Sequence, residues 1–364
     1  MKADARPGME RAQNDKVGAK GWRAALPHVA ATMAPVPLLV AAAMLGGGWS
    51  LAALLWMSVG LHLADAMLVR IRPAWGADHV AQPVADRVSV ALALTHFLLL
   101  PLAVWSLSGA GPLGPWDGVA TFLAFGLWLG QASNANAHEL IHRRERWLFR
   151  LGWAVFVTLL YGHHVSAHRL VHHRFVATPN DPNTARAGEG FYQFLIRAWP
   201  GAFLAGYEME RNLRRRARGP GRLNPYVIHV GGALALLTLV AWLFGPDGLV
   251  AYLLLCAHAQ IQILLSDYVQ HYGLLRQELP DGRPEPVGPA HSWDAPRGLS
   301  GLMMLNASRH ADHHLHPSKG FGELETPART PRLPASLPIM ATVALVPPLW
   351  RRLMDRRLRR MQPD

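Results

Sequence analysis

The sequence predicts an all-α integral membrane protein with about six transmembrane helices, and three observations carry that prediction. Of the 364 residues, 51% are hydrophobic and only 16% are charged, against about 25% charged in an ordinary soluble domain. The apolar residues gather into runs near the roughly 20 residues that cross about 30 Å of hydrocarbon. The cations, 36 Lys and Arg in all, avoid those runs and every second connection between them.

In chain order the runs are 30–46 (AATMAPVPLLVAAAMLG), 49–69 (WSLAALLWMSVGLHLADAMLV), 88–107 (VSVALALTHFLLLPLAVWSL) and 117–136 (DGVATFLAFGLWLGQASNAN). Two more follow at 226–244 (YVIHVGGALALLTLVAWLF) and 248–268 (GLVAYLLLCAHAQIQILLSDY). One such run is read most simply as a buried core helix. Six of them joined by very short turns read as spans, helical because lipid offers no partner to backbone polar groups. The turns 46–48, 108–116 and 245–247 hold no Lys or Arg, whereas 1–29, 70–87, 137–225 and 269–364 hold all of them. The positive-inside rule makes the latter four cytoplasmic, with both termini inside.

The chain then divides into a cytosolic basic tail (1–29), one membrane-embedded domain (30–356) and a basic C-terminal tail (357–364). Topology and anionic lipid account for the formal charge of +12, so no nucleic acid is called for. No cleavable apolar leader stands out in the tail. The single cysteine, Cys256, lies in a span, which leaves no disulfide framework and no CxxC pair for an iron–sulfur or rubredoxin module.

The 19 histidines are placed unevenly. Nine stand in "HELIH" (His138, His142), "HRLVHH" (His168, His172, His173), "QHYG" (His271) and "RHADHH" (His310, His313, His314), all in or at the edge of cytoplasmic segments. On a helix, residues four apart share one face about 5–6 Å apart. The pairs 138/142 and 168/172 can therefore each close on one metal. His173 is rotated about 100° further round and reaches a second ion, and HxxHH at 310/313/314 repeats the device. Nine imidazoles exceed what one ion takes, so two metals share them. Without metal, rings this dense would repel when protonated and lose hydration when neutral. The all-nitrogen set argues against structural zinc and leaves iron, copper or zinc in a catalytic role, with a redox metal suiting it best.

Isolated His62, His96, His229 and His258 are read as hydrogen-bonded helix residues. The stretch 147–164 (WLFRLGWAVFVTLLYGHH) has the look of a seventh span, yet a crossing there would put the first two boxes on opposite faces of the bilayer. An interfacial or re-entrant helix is expected instead. A metal transporter is disfavoured, because the histidines collect on one face and no span carries a polar relay.

The HxxxH, HxxxHH and HxxHH boxes resemble the membrane fatty acid desaturase and hydroxylase superfamily. The flanks "HELIHRRE" (138–145), "HHRFVATPNDPNTARAGEGFYQF" (172–194), "QHYGLLRQ" (270–277), "HSW" (291–293), "RHADHHLHP" (309–317) and "LPIMATVALVPPLWRRLMD" (337–355) are similar to the alkane 1-monooxygenase family. The resemblance runs from about residue 30 to 356. It implies a non-haem diiron hydroxylase, multi-pass in the bacterial inner (cytoplasmic) membrane with its site on the cytoplasmic side. It further implies two iron ions (Fe2+/Fe3+), with His138, His142, His168, His172, His173, His271, His310, His313 and His314 as ligands. The reaction implied is O2-dependent hydroxylation of a terminal C–H of an alkane, or of a related alkyl or methyl-aromatic substrate. Electrons would come from a rubredoxin or a ferredoxin-type donor with its own reductase. "RNLRRRARGPGR" (211–222) offers a cationic face for an acidic donor or for lipid headgroups.

Two positions depart from the family pattern: Ala167 and Gln270 stand where the family commonly has Glu before a ligand histidine. Candidates for orienting the ligands are Glu139, His163, His291, Asp312 and His316. Bulky Trp56, Phe97, Trp105 and Trp128 are candidates for setting the length of a substrate tunnel. The alternative reading is a fatty acyl desaturase or hydroxylase on the same irons.

Overall fold

The computed structural model describes residues 21–71, 79–217 and 223–361. The first 20 residues of the expected basic tail, the last three of the C-terminal tail and 218–222 of the cationic stretch lie outside the described residues. Among the described residues the chain is helical, with two isolated β-bridges and no strand.

Among the described residues four helices are long and apolar enough to cross a membrane: α1 (Gly21–Leu45), α2 (Gly48–Met67), α3 (Gln82–Leu107) and a 46-residue helix, Tyr226–His271, that becomes α10 below. At 1.5 Å per residue the last would reach about 69 Å, more than twice the hydrocarbon thickness. It is bent into two arms at Gly245, whose φ of 68° no β-branched residue would tolerate, followed by Pro246. The arms correspond to the expected runs 226–244 and 248–268.

Helix α1 begins inside the segment read as a tail. One polar residue that argued against a span there, His28, has partners in the protein. His28 is buried, with Nε2 3.1 Å from Asn306 Nδ2 and its ring against Phe321.

The fourth expected run forms α4 (Pro115–Trp128), a π turn (Leu129–Ser133) and α5 (Asn134–Ile141) without a break. It is less apolar than the others because its polar residues turn inward. Ser133 Oγ lies 2.7 Å from His96 Nδ1, Asn134 Nδ2 donates to the Ala259 carbonyl and Asn136 Nδ2 to that of Ser89. Such interhelical bonds hold helices together where the hydrophobic effect cannot. The second arm of α10 crosses α4 over Gly126 and Gly130. A Cβ at these positions would lie 1.9 Å from His258 Nδ1 and 2.0 Å from Gln262 Nε2, so only glycine admits the crossing.

Helix α6 (Arg146–Thr158) has 13 residues, about 20 Å of rise and too short to span. It folds back on α5, with Gly152 against Leu140 and the Ala137 carbonyl. His96 bridges Ser133 and Thr158, and His229 accepts a hydrogen bond from Trp153 Nε1, both as ordinary helix residues.

The second box runs through α7 (His164–Ala167), a π turn (His168–His172) and α8 (His173–Phe175). Then come α9 (Phe191–Arg216), α10, α11 (Leu299–Met303), α12 (His310–Leu315) with the third box, α13 (Leu337–Ala344) and α14 (Pro347–Met361). Trp350, Met354 and Leu358 of α14 are buried over the turn that follows His271, where Tyr272 Oη donates to Asp355 at 2.6 Å.

Candidate metal centre

The ends of α5, α8, α10 and α12 converge, and the nine box histidines meet there in two groups. One holds His138, His142, His168, His173 and His313; the other holds His172, His271, His310 and His314. The second group is fully buried, while His138, His142 and His173 of the first are partly accessible.

The spacing argument succeeds for 138/142 and fails for 168/172, which fall in different groups. The π turn is the reason. In a regular α-helix the residue four on is rotated by about 40° and the residue five on by about 140°. The wider i→i+5 turn returns the fifth residue over the first, so His168 is joined by His173 and His172 faces the other group. In the third box, regular helix keeps His310 and His314 together and turns His313 to the first group.

Within each group the Nε2 atoms point at one another. His168 Nε2 lies 2.8 Å from that of His138, 3.1 Å from His142 and 2.9 Å from His173. In the second group the separations are 2.9 Å for 271/310, 3.1 Å for 310/314 and 3.3 Å for 271/314. A neutral imidazole has one N–H, so three such contacts at one nitrogen cannot all be hydrogen bonds. Two imidazoles bound to one ion at right angles, with metal–nitrogen bonds near 2.1 Å, put their nitrogens about 3 Å apart. The donor atoms fit two metal ions.

The rings are held from behind. His172 Nδ1 donates to Asp181 Oδ2 at 2.8 Å, which leaves a buried Nε2 without a protein partner. Burial alone would lower the His172 pKa, but the Asp181 carboxylate outweighs it and raises it. The same contact, with the Thr184 hydroxyl and the Asn183 N–H, overcomes burial and holds Asp181 below its usual value. His271 Nδ1 lies 3.3 Å from the His291 carbonyl. Asp294, pushed up to about 6 by burial, accepts the N–H of Ala311 in the first turn of α12. Asp181 and Asp294 were not singled out in the sequence; the Asn-Asp-Pro turn signal around Asp181 was the available cue.

The side chains of the five candidate orienting residues bond or pack against partners other than the box-histidine rings. Glu139 pairs with Arg143 and accepts the Phe321 N–H at 2.8 Å. Asp312 binds His316, Lys319 and the Glu325 N–H. The His291 ring bonds Glu285 and the Gly288 N–H, so only its carbonyl meets His271. His163 packs on Trp199 and Phe203. Gln270 spans Ser266 and the Ala307 carbonyl. Ala167 lies under α9, where a Cβ at Gly206 would come within 3.0 Å of its nitrogen.

A cavity of about 240 Å³ opens onto both groups, touching His138, His168 and His310. Leu127, Ile263, Met304 and Leu337 contribute apolar wall, and none of Trp56, Phe97, Trp105 or Trp128 lines it.

The family model for fatty acid desaturases matches residues 113–338. The chain is 35% identical to alkane 1-monooxygenase 1 of Alcanivorax borkumensis over 331 residues, covering 85% of this chain and 79% of that protein. It is 36% identical to the alkane 1-monooxygenase of Ectopseudomonas oleovorans over 269 residues, 71% of this chain and 65% of that one. With the xylene/toluene monooxygenase hydroxylase component of Pseudomonas putida it shares 30% identity over 336 residues, 86% and 85% of the two chains. Histidine boxes, helical membrane scaffold and relatives agree, and the chain belongs to the alkane 1-monooxygenase family.

Proposed function

We propose that this enzyme is a membrane diiron monooxygenase that hydroxylates a terminal C–H of an alkane or of a related alkyl or methyl-aromatic substrate. The observation that carries the reading is one cavity touching both imidazole groups, in a chain whose relatives are named alkane 1-monooxygenase and xylene/toluene monooxygenase. Per turnover, R–CH3, O2, two electrons and two protons give R–CH2OH and H2O.

His138, His142, His168, His173 and His313 would hold one iron and His172, His271, His310 and His314 the other. The irons, when bound, supply the redox chemistry that activates O2. The chain's own residues do the remainder. Asp181 and the His291 carbonyl fix two rings with Nε2 inward, and the apolar wall seats the alkyl chain and keeps water from the reacting carbon. Six spans, with α10 counted as two and α4–α5 as one, would leave the site on the cytoplasmic side of the inner membrane, where the positive-inside rule puts the cation-rich connections. A rubredoxin or ferredoxin-type donor with its reductase supplies electrons there. The cationic end of α9 favours an acidic donor, although Arg211 and Arg214 are already paired with Glu208 and Glu210.

The test is turnover in membranes under 18O2 with rubredoxin, its reductase and a mixture of octane, hexadecane, a methyl-aromatic and a fatty acyl ester. A primary alcohol carrying one 18O is expected. An alkene instead would favour the second reading, a fatty acyl desaturase on the same scaffold, which the match to the desaturase family model supports.

A further inference from the structure

The cavity wall is more polar than an alkane calls for. Four of its side chains keep a buried polar atom without a partner: Gln131 Oε1, His164 Nε2, His62 Nδ1 and His258 Nδ1. Gln131 is 7% exposed and His164 2%. His62 and His258 depart from the sequence expectation, which made them hydrogen-bonded helix residues like His96 and His229. Leaving a buried polar atom unpaired is costly, and a hydrocarbon ligand does nothing to offset that cost.

The arrangement is also built. Gln131 sits on the π turn between α4 and α5, and π turns inside helices occur often at functional sites. Seven residues separate Gln131 from His138 on the same helical run, about 10 Å along the axis. His258 is held over the Gly126 notch of the same run, where any Cβ would collide with it. Gln131 Oε1 and His258 Nδ1 thus line the cavity along that run on the side away from His138. The cavity's other end has the ligand histidines.

We propose that this end of the cavity is a subsite for a hydroxyl group, and that the enzyme's preferred substrates are medium-length alkyl chains bearing a hydroxyl at the end remote from the reacting methyl. The hydroxyl hydrogen goes to Gln131 Oε1, and the hydroxyl oxygen accepts from an imidazole N–H of His258 or His62. The inference rests on the cavity being the substrate site, as proposed above. The redox balance is unchanged: a terminal methyl of the alkanol becomes a second primary alcohol, with O2, two electrons and two protons consumed and one water released.

The experiment compares n-decane with 1-decanol in full-length enzyme, wild type and the variants Gln131→Leu and His258→Leu, in nanodiscs. Hydroxylation of each substrate is measured together with equilibrium binding of radiolabelled 1-decanol. Gln131→Leu removes an unpaired polar atom from a buried position, so it is expected to fold. The ratio of kcat/KM for 1-decanol over n-decane should fall about three- to tenfold in each variant, the effect of one hydrogen bond. The n-decane rate of each variant is the reference for that ratio, and 1-decanol binding should weaken by a similar factor. An unchanged ratio with unchanged binding in both variants overturns the subsite while leaving the monooxygenase intact. Failure of the wild type to hydroxylate either compound, with 1-decanol bound by the wild type and bound more weakly by Gln131→Leu, would sink the proposed reaction and keep the subsite.

Discussion

Replacing Asp181 by Asn tests whether the residue behind a ligand sets the metal's grip. In the wild type, Asp181 Oδ2 accepts from His172 Nδ1 and Thr184 Oγ1, each at 2.8 Å, and Oδ1 accepts from the Asn183 N–H at 3.1 Å. Asn has the same shape but one acceptor oxygen. If that oxygen faces His172, the new NH2 confronts the Asn183 N–H; if it faces Asn183, the NH2 confronts His172 and Thr184. At least one buried donor is left unpaired either way, at about 1–3 kcal/mol, and a bond to His172 without the carboxylate loses its charge assistance, about 1 kcal/mol more. Part of that falls on folding and part on the ion, so the second group should bind iron about 10–100-fold more weakly, the range seen for partners one step behind a ligand.

The assay is iron titration against a competing chelator, with the two ions resolved, alongside turnover at saturating iron. A second readout is pH. Below its raised pKa, the His172 proton competes with the metal; without the carboxylate that pKa falls, so the loss of affinity on acidification should begin at a lower pH in the variant. Retention of both ions at wild-type affinity, or loss confined to the group containing His138, would refute the reasoning.

Two further outcomes follow from the same geometry. His168→Ala and His172→Ala should each weaken a different iron, so their Mössbauer or chelation signatures should differ, and the double variant should lose both ions; identical signatures would restore the simple four-residue spacing. Gly130→Val should cost about 1 kcal/mol, because its Cβ would lie 2.0 Å from Gln262 Nε2 and displace that side chain from its hydrogen bond to the Gly126 carbonyl; an unchanged thermal midpoint in detergent would show that α4 and α10 do not approach as described.

The parts of this chain set by composition and long periodic runs were legible without coordinates. Cation-free connections and apolar length gave the helices and the break between the arms of α10. Density of histidine pointed to the residues that gather into the two histidine groups. The limits of α1 were not legible, since Arg23, Pro27 and His28 read as tail, and only the distant Asn306 and Phe321 make His28 acceptable in a helix. The same holds for what stands behind the ligands. Glu139 and Asp312 adjoin histidines in sequence but brace loops, whereas Asp181 lies nine residues beyond His172 and reaches it through a turn.

The partition of the ligands depends on a single local feature that residue spacing does not encode. A sequence gives intervals, and an interval becomes an angle only when the helix type is known. His168 and His172 are four apart, which in α geometry means one face and one ion. Inserting a π turn across these five residues sends His172 toward His271, 99 positions later in the chain, and draws His173 in to His168. The two other π turns, Trp56–Gly60 and Leu129–Ser133, contribute Met57, Ser58, Gly130 and Gln131 to the cavity wall. The helices thus set where the site is, and the three irregular turns decide which residues face it.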